Sequence, residues 1–199
     1  MKYLSFFILL FIGELSVNAQ HMFSRQFPFF NQLSSNEIFS IHQDREGYFW
    51  IGTTNGLARY DGYQLNTFRT DYKNQNLLTD NGITAINDND LYVWIGTWKG
   101  LNLYNKQTCQ ITPFSDARLL DKVVDAITVD KDGNVWVSAG GMIYRCDSTA
   151  HIIKEYEVGN IQEGYAISNI YVDQQKQLWA VGSRGIFRYE PETDSFFRY

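Results

Sequence analysis

A few residues of the 199-residue chain could meet a ligand, and they fall at matching places along it. Trp98 beside Lys99 pairs a flat apolar face with an ammonium. Asn55 adds an amide, and Arg184 a guanidinium. Such a set suits stacking on a ring and hydrogen bonding to its hydroxyls or to a carboxylate. The competing reading of Trp98 is an aromatic that covers a neighbouring loop. Together, Lys99 and Arg184 favour a uronic-acid or sulfated ring over a neutral one. His21, His42 and His151 are scattered, without a second ligand at a metal spacing, and read as surface or strand residues. Asp130-Lys131-Asp132-Gly133-Asn134 has the start of a calcium loop but no downstream glutamate, so it reads as a turn. No nucleophile elbow or phosphate loop occurs. On this reading there is no catalytic residue, cofactor or metal.

The elements that must position these residues come from a repeat. Trp50, Trp94, Trp136 and Trp179 are 44, 42 and 43 residues apart. Six residues before each stands an aspartate: Asp44, Asp88, Asp130 and Asp173. Seven after each come Leu57, Leu101, Ile143 and Ile186, and ten after each Tyr60, Tyr104, Cys146 and Tyr189. Two further apolar columns lie upstream, Ile38/Ile83/Val124/Ile167 and Ile41/Ile86/Ile127/Ile170. The repeats span approximately 33–72, 78–118, 120–159 and 163–199.

Each copy reads as four short strands. In the first copy, Ile38–Ile41 is followed by an Asp-to-Gly turn, Tyr48–Gly52, a Gly-containing loop and Leu57–Tyr60. The fourth strand is marked by Phe68, Phe114, Tyr156 and Phe197. No useful 3.6-residue pattern follows residue 20. Four antiparallel strands at this period predict an all-β chain of four four-stranded β-propeller blades. A tryptophan that recurs in every blade belongs to the packing between blades. Binding residues should instead break the repeat on one rim, as Asn55, Trp98, Lys99 and Arg184 do.

Composition limits the partners. The net charge is −5, with 20% charged and 16% aromatic residues and no Lys/Arg cluster, which argues against nucleic acid and anionic membrane surfaces. Lys2, the mostly apolar run Leu4–Ile12, and Val17 and Ala19 before Gln20 read as a signal peptide over 1–19. That run is too short for a membrane span, which needs about 20 residues. Residues 20–199 are therefore expected to be exported. Cys109 and Cys146 read as two small core residues, with a bridge as the alternative.

The stretch Tyr48-Phe49-Trp50-Ile51-Gly52-Thr53-Thr54-Asn55-Gly56-Leu57-Ala58-Arg59-Tyr60-Asp61-Gly62-Tyr63, with Ile-x-x-Asp-x-x-Gly upstream, closely resembles the two-component regulator propeller repeat. Val93–Leu101 repeats its centre. The third copy departs with Ser138 and an early Gly141, and the fourth with Lys176 and a late Gly182. The resemblance implies the N-terminal periplasmic sensor portion of a hybrid two-component histidine kinase/response regulator. Such receptors carry two propellers and an immunoglobulin-like domain outside the membrane, and many sense oligosaccharides from polysaccharide breakdown.

Met22–Phe27 reads as a closing strand for a last blade, yet the fourth copy has its own fourth strand. We therefore expect a larger ring, seven-bladed by the resemblance, completed by downstream blades. A closed four-bladed ring is the alternative. Expected partners are an oligosaccharide or other small ligand, the remaining receptor domains, and a second copy as a homodimer. An exported polysaccharide lyase or hydrolase and a protein-interaction scaffold are the competing functions.

Overall fold

The computed structural model describes residues 27–70, 77–158, 167–183 and 185–199. The expected signal peptide, Arg184 and most of the expected strand Met22–Phe27 lie outside these residues. Phe27 itself is not in a strand.

Four antiparallel sheets follow one another along the chain, each with its strands in sequence order. The first contains β1 (Ile38–Gln43), β2 (Phe49–Thr53), β3 (Gly56–Tyr60) and β4 (Leu65–Phe68). The second contains β5 (Ile83–Asp88), β6 (Tyr92–Thr97), β7 (Gly100–Asn105) and β8 (Gln110–Pro113). The third contains β9 (Val124–Val129), β10 (Val135–Ala139), β11 (Met142–Cys146) and β12 (Ile152–Glu157). The fourth contains β13 (Ile167–Val172), β14 (Leu178–Gly182), β15 (Gly185–Glu190) and β16 (Ser195–Arg198). Helix among the described residues is confined to Phe30–Gln32 and Ala117–Leu119, each a single 3-10 turn.

The turn aspartate explains why each blade begins as it does. Asp44 Oδ1 accepts from the amides of Glu46 and Tyr48, while Oδ2 accepts from Trp50 Nε1 at 2.7 Å. One carboxylate thus shapes the β1–β2 turn and fixes the indole. Asp130 does the same for Asn134 and Trp136, and Asp173 for Gln177 and Trp179. Where the fourth copy lacks the turn glycine, Lys176 itself adopts φ +64°.

The second blade departs from this scheme. Its turn is one residue shorter, and Asn89 Oδ1, not Asp88, accepts from the amides of Leu91 and Tyr92. Asp88 turns instead to His42 Nε2 and Lys106 Nζ, both at 2.7 Å. The buried indole N–H of Trp94 is left without a hydrogen-bond partner. Counting six residues back from the tryptophan finds the aspartate but misplaces the cap.

The core lies between blades, not within them. Trp50 and Leu57 of blade one pack against Ile83, Ile86, Val93, Tyr104 and other residues of blade two. Trp94 and Leu101 meet Val124, Ile127 and Val135, and Trp136 and Ile143 meet Ile167, Ile170 and Leu178. Glycine at the second position after tryptophan lets the next blade approach. A Cβ on Gly52 would lie 2.6 Å from Ile83 Cγ2, and one on Gly96 2.7 Å from Val124 Cγ1. Ser138 takes this place in blade three and donates to the Ile167 carbonyl at 3.1 Å.

Inner strands pack in succession, β1 on β5, β5 on β9 and β9 on β13. No comparable packing joins β13 back to β1, so the described residues form an open arc of four blades and not the alternative closed ring. Cys146 is buried but Cys109 is exposed, and both are free thiols. The expectation of two core cysteines therefore holds for Cys146 alone, whose thiol burial pushes up to about 12. Two fourth-strand markers also shift. Phe114 lies one residue past β8, and the ring against Trp179 is Tyr199, at 5.2 Å, while Phe197 is exposed.

Candidate functional site

The turns joining the second and third strands of the first three blades share one rim, because each is hydrogen bonded to the segment leading into its blade's inner strand. The amides of Thr54, Trp98 and Gly140 donate to the carbonyls of Glu37, Gly82 and Val123. In the first two blades a threonine stiffens the turn. Thr53 Oγ1 and Thr97 Oγ1 donate to the carbonyls of Gly56 and Gly100, each at 2.8 Å.

Blade one and blade two bring their variable tips together around residues 81–82. The Gly56 amide donates to the Asn81 carbonyl at 2.7 Å, and the Trp98 amide to the Gly82 carbonyl at 3.1 Å. Asn55 and Trp98 therefore flank one short segment. Gly82 is required there, since a Cβ would run into the Trp98 indole. The indole thus covers a loop and remains 44% exposed. The competing reading of Trp98, an aromatic that covers a neighbouring loop, therefore describes it.

The remaining rim residues are engaged to different degrees. Asn55 is exposed, but its Nδ2 donates to the Ser34 carbonyl and its own carbonyl accepts from Arg69 Nε at 3.0 Å. Lys99 is exposed, with Nζ 3.9 Å from Asp80 Oδ2. That carboxylate meets part of the charge on which a preference for an acidic ring rested.

Two further residues belong to this rim. Phe39, on the inner strand β1, is exposed and stands edge-on to Trp98 with ring centroids 6.1 Å apart. The two rings form an aromatic corner at the inner edge of the first two blades. At the corresponding place on β5 and β9 stand Thr84 and Asp125. Thr84 Oγ1 donates to the Val124 carbonyl at 2.6 Å, tying the two inner strands at that level. Desolvation raises the Asp125 carboxyl to about 6. The signal for these residues was present in the sequence. Phe39, Thr84, Asp125 and Ser168 differ in chemical type between blades, while the residue before each is a β-branched aliphatic in all four.

The opposite rim has a cleft of about 340 Å3 between blades three and four, with Lys131, Lys176, Arg188 and Glu190 in its lining. Its charges are largely matched, as in the Arg188–Glu190 pair. Among the described residues no group of three or more His, Cys, Asp or Glu could hold a metal ion. No described helix is long and apolar enough to cross a membrane.

An arc of stacked four-stranded blades with a variable rim defines a β-propeller. Residues 32–55 match the family described as Two component regulator propeller, so the first blade carries that repeat. Among solved structures, the extracellular domain of a one-component system from B. thetaiotaomicron is similar at TM-score 0.62 and 22% identity, over 78% of this chain and 21% of that one. The extracellular domain of a hybrid two-component system from the same organism gives 0.57 and 21%, over 83% and 30%. Virginiamycin B lyase from Staphylococcus aureus gives 0.65 and 18%, over 82% and 55%. The chain thus spans between about a fifth and just over half of these structures. No curated protein matches the sequence.

Proposed function

We propose that this chain supplies periplasmic ligand-sensing blades of a hybrid two-component receptor, and that the ligand is an oligosaccharide released by polysaccharide breakdown. The observation that carries the reading is the aromatic corner of Phe39 and Trp98, set beside a first blade with the two-component regulator repeat. Two rings meeting at an edge give a sugar an apolar face to stack on, and the nearby Asn55 and Lys99 give its hydroxyls polar neighbours. Because Asp80 stands beside Lys99, the corner suits neutral as well as acidic rings.

The test is calorimetry of the chain against neutral and uronic oligosaccharides. Trp98→Ala and Phe39→Ala are each expected to weaken binding about tenfold or more, without loss of sheet content. Affinities unchanged within about twofold would remove the corner from the binding surface. A second reading, an exported propeller enzyme, is favoured by the likeness to a lyase. Turnover of any of the same oligosaccharides would select it.

A further inference from the structure

Three neighbouring inner-strand side chains offer a ligand acceptors and no donors. The inner strands pack in the order β1, β5, β9, β13, and the second residues of these strands are Phe39, Thr84, Asp125 and Ser168. A Ser or Thr hydroxyl has one proton to donate and two lone pairs with which to accept. Thr84 Oγ1 donates to the Val124 carbonyl at 2.6 Å, and Ser168 Oγ to the Val181 carbonyl at 3.2 Å. Both protons are thus committed, and each hydroxyl meets a ligand with lone pairs alone. Asp125 stands between them in strand order, and an ionised carboxylate only accepts.

Asp125 is unlike the other carboxylate of these strands. Asp88 is held by His42 and Lys106. Among the described residues nothing hydrogen bonds to the Asp125 carboxylate or pairs with it, and desolvation alone acts on it. The residue is nonetheless exposed, so a ligand can reach it. Blade three has a described blade on each side. The Val124 side chain seats against Gly96, and its carbonyl is tied to Thr84, so the backbone beside Asp125 is fixed. A carboxylate that loses part of its water and finds no protein donor gains most from donors that a ligand brings. Lys99, an exposed cation of the same rim, already has Asp80 Oδ2 at 3.9 Å.

Given the oligosaccharide reading above, on which this rests, we infer that Thr84, Asp125 and Ser168 form an acceptor row that binds the hydroxyls of a neutral oligosaccharide and rejects one carrying a carboxylate or sulfate there. The row adjoins the aromatic corner at β5, where the Trp98 indole lies against Gly82, two residues before Thr84. A sugar chain with one ring stacked on the corner can extend along the row with the next. Neutral rings bring hydroxyl protons to the lone pairs of all three residues. A uronate or sulfate brings a second anion with lone pairs of its own and meets repulsion at Asp125.

Calorimetry of the chain should compare tetrasaccharides of glucose, galactose and mannose with those of the corresponding uronic acids. A neutral tetrasaccharide should bind about tenfold or more tightly than its uronic counterpart. Asp125→Asn, nearly isosteric and at an exposed position, should weaken that neutral ligand about tenfold and narrow its lead over the uronic one, with β-sheet circular dichroism unchanged. Asp125→Lys should reverse the preference. If Trp98→Ala weakens a neutral tetrasaccharide and Asp125→Asn leaves it within about twofold, the row is overturned and the corner stands. A wild-type preference for a uronic tetrasaccharide likewise overturns the row alone. Binding of no tetrasaccharide would overturn the oligosaccharide reading itself, and the row with it.

Discussion

Asp88 shows how one carboxylate can be moved from local to long-range work. In three blades the column aspartate serves its own turn and its own tryptophan. In blade two it joins His42 of blade one to Lys106 of its own blade, with Lys106 almost fully buried. Burial opposes ionisation of Asp88. The hydrogen bonds from His42, Lys106 and the Arg45 amide outweigh it and bring the carboxyl down to about 2. A carboxylate held below its unfolded value of about 3.9 stabilises the fold above that pH and loses its contribution as the pH falls toward its folded value. Asp88→Asn leaves Lys106 without its counter-ion and should cost about 3 kcal/mol at neutral pH. Urea unfolding of both forms should show that gap closing between about pH 4 and about pH 2. A gap independent of pH would mean that the ion pair contributes nothing.

At the scale of the element, the blade is set by a cap and a close approach. Gly47 has φ +92° with nothing near its missing side chain, so alanine there meets backbone strain alone. Gly52 has ordinary φ but faces Ile83. Gly52→Ala should destabilise by about 1–3 kcal/mol through overpacking of the first joint. Denaturant midpoints should resolve it, and an unaltered midpoint would mean that the joint can open without cost. The tryptophan spacing made the blades and their order legible from the sequence. It could not reveal a turn shortened by one residue, because a fixed count from Trp94 still lands on Asp88. It likewise named Phe197 where Tyr199 meets Trp179, since residues two apart share a strand face and only the pairing of Tyr199 with Ile186 decides which ring reaches the indole. Trp98 was legible because it breaks a column. Phe39 also varies from its counterparts, but an apolar residue beside Ile38 reads as strand interior until the inner strand is seen to face the axis.

At the scale of the whole molecule, no blade among the described residues contributes to a core that its immediate neighbours do not share. The chain is thermodynamically a short one-dimensional array, in which stability is a sum of intrinsic blade terms and nearest-neighbour joints. Among the described residues, blades two and three have two joints each, and blades one and four have one each. Opening should therefore begin at the ends, and a single two-state free energy should fail to describe it. Native-state amide exchange should be slowest in β5–β7 and β9–β11 and faster in β1 and β13–β16. Uniform protection would mean that some contact outside the three joints couples the array. A perturbation crosses such an array one joint at a time. A ligand wedged between two blades changes one coupling constant, and the effect reaches a distant blade only through each joint in turn, losing strength wherever a joint is loose.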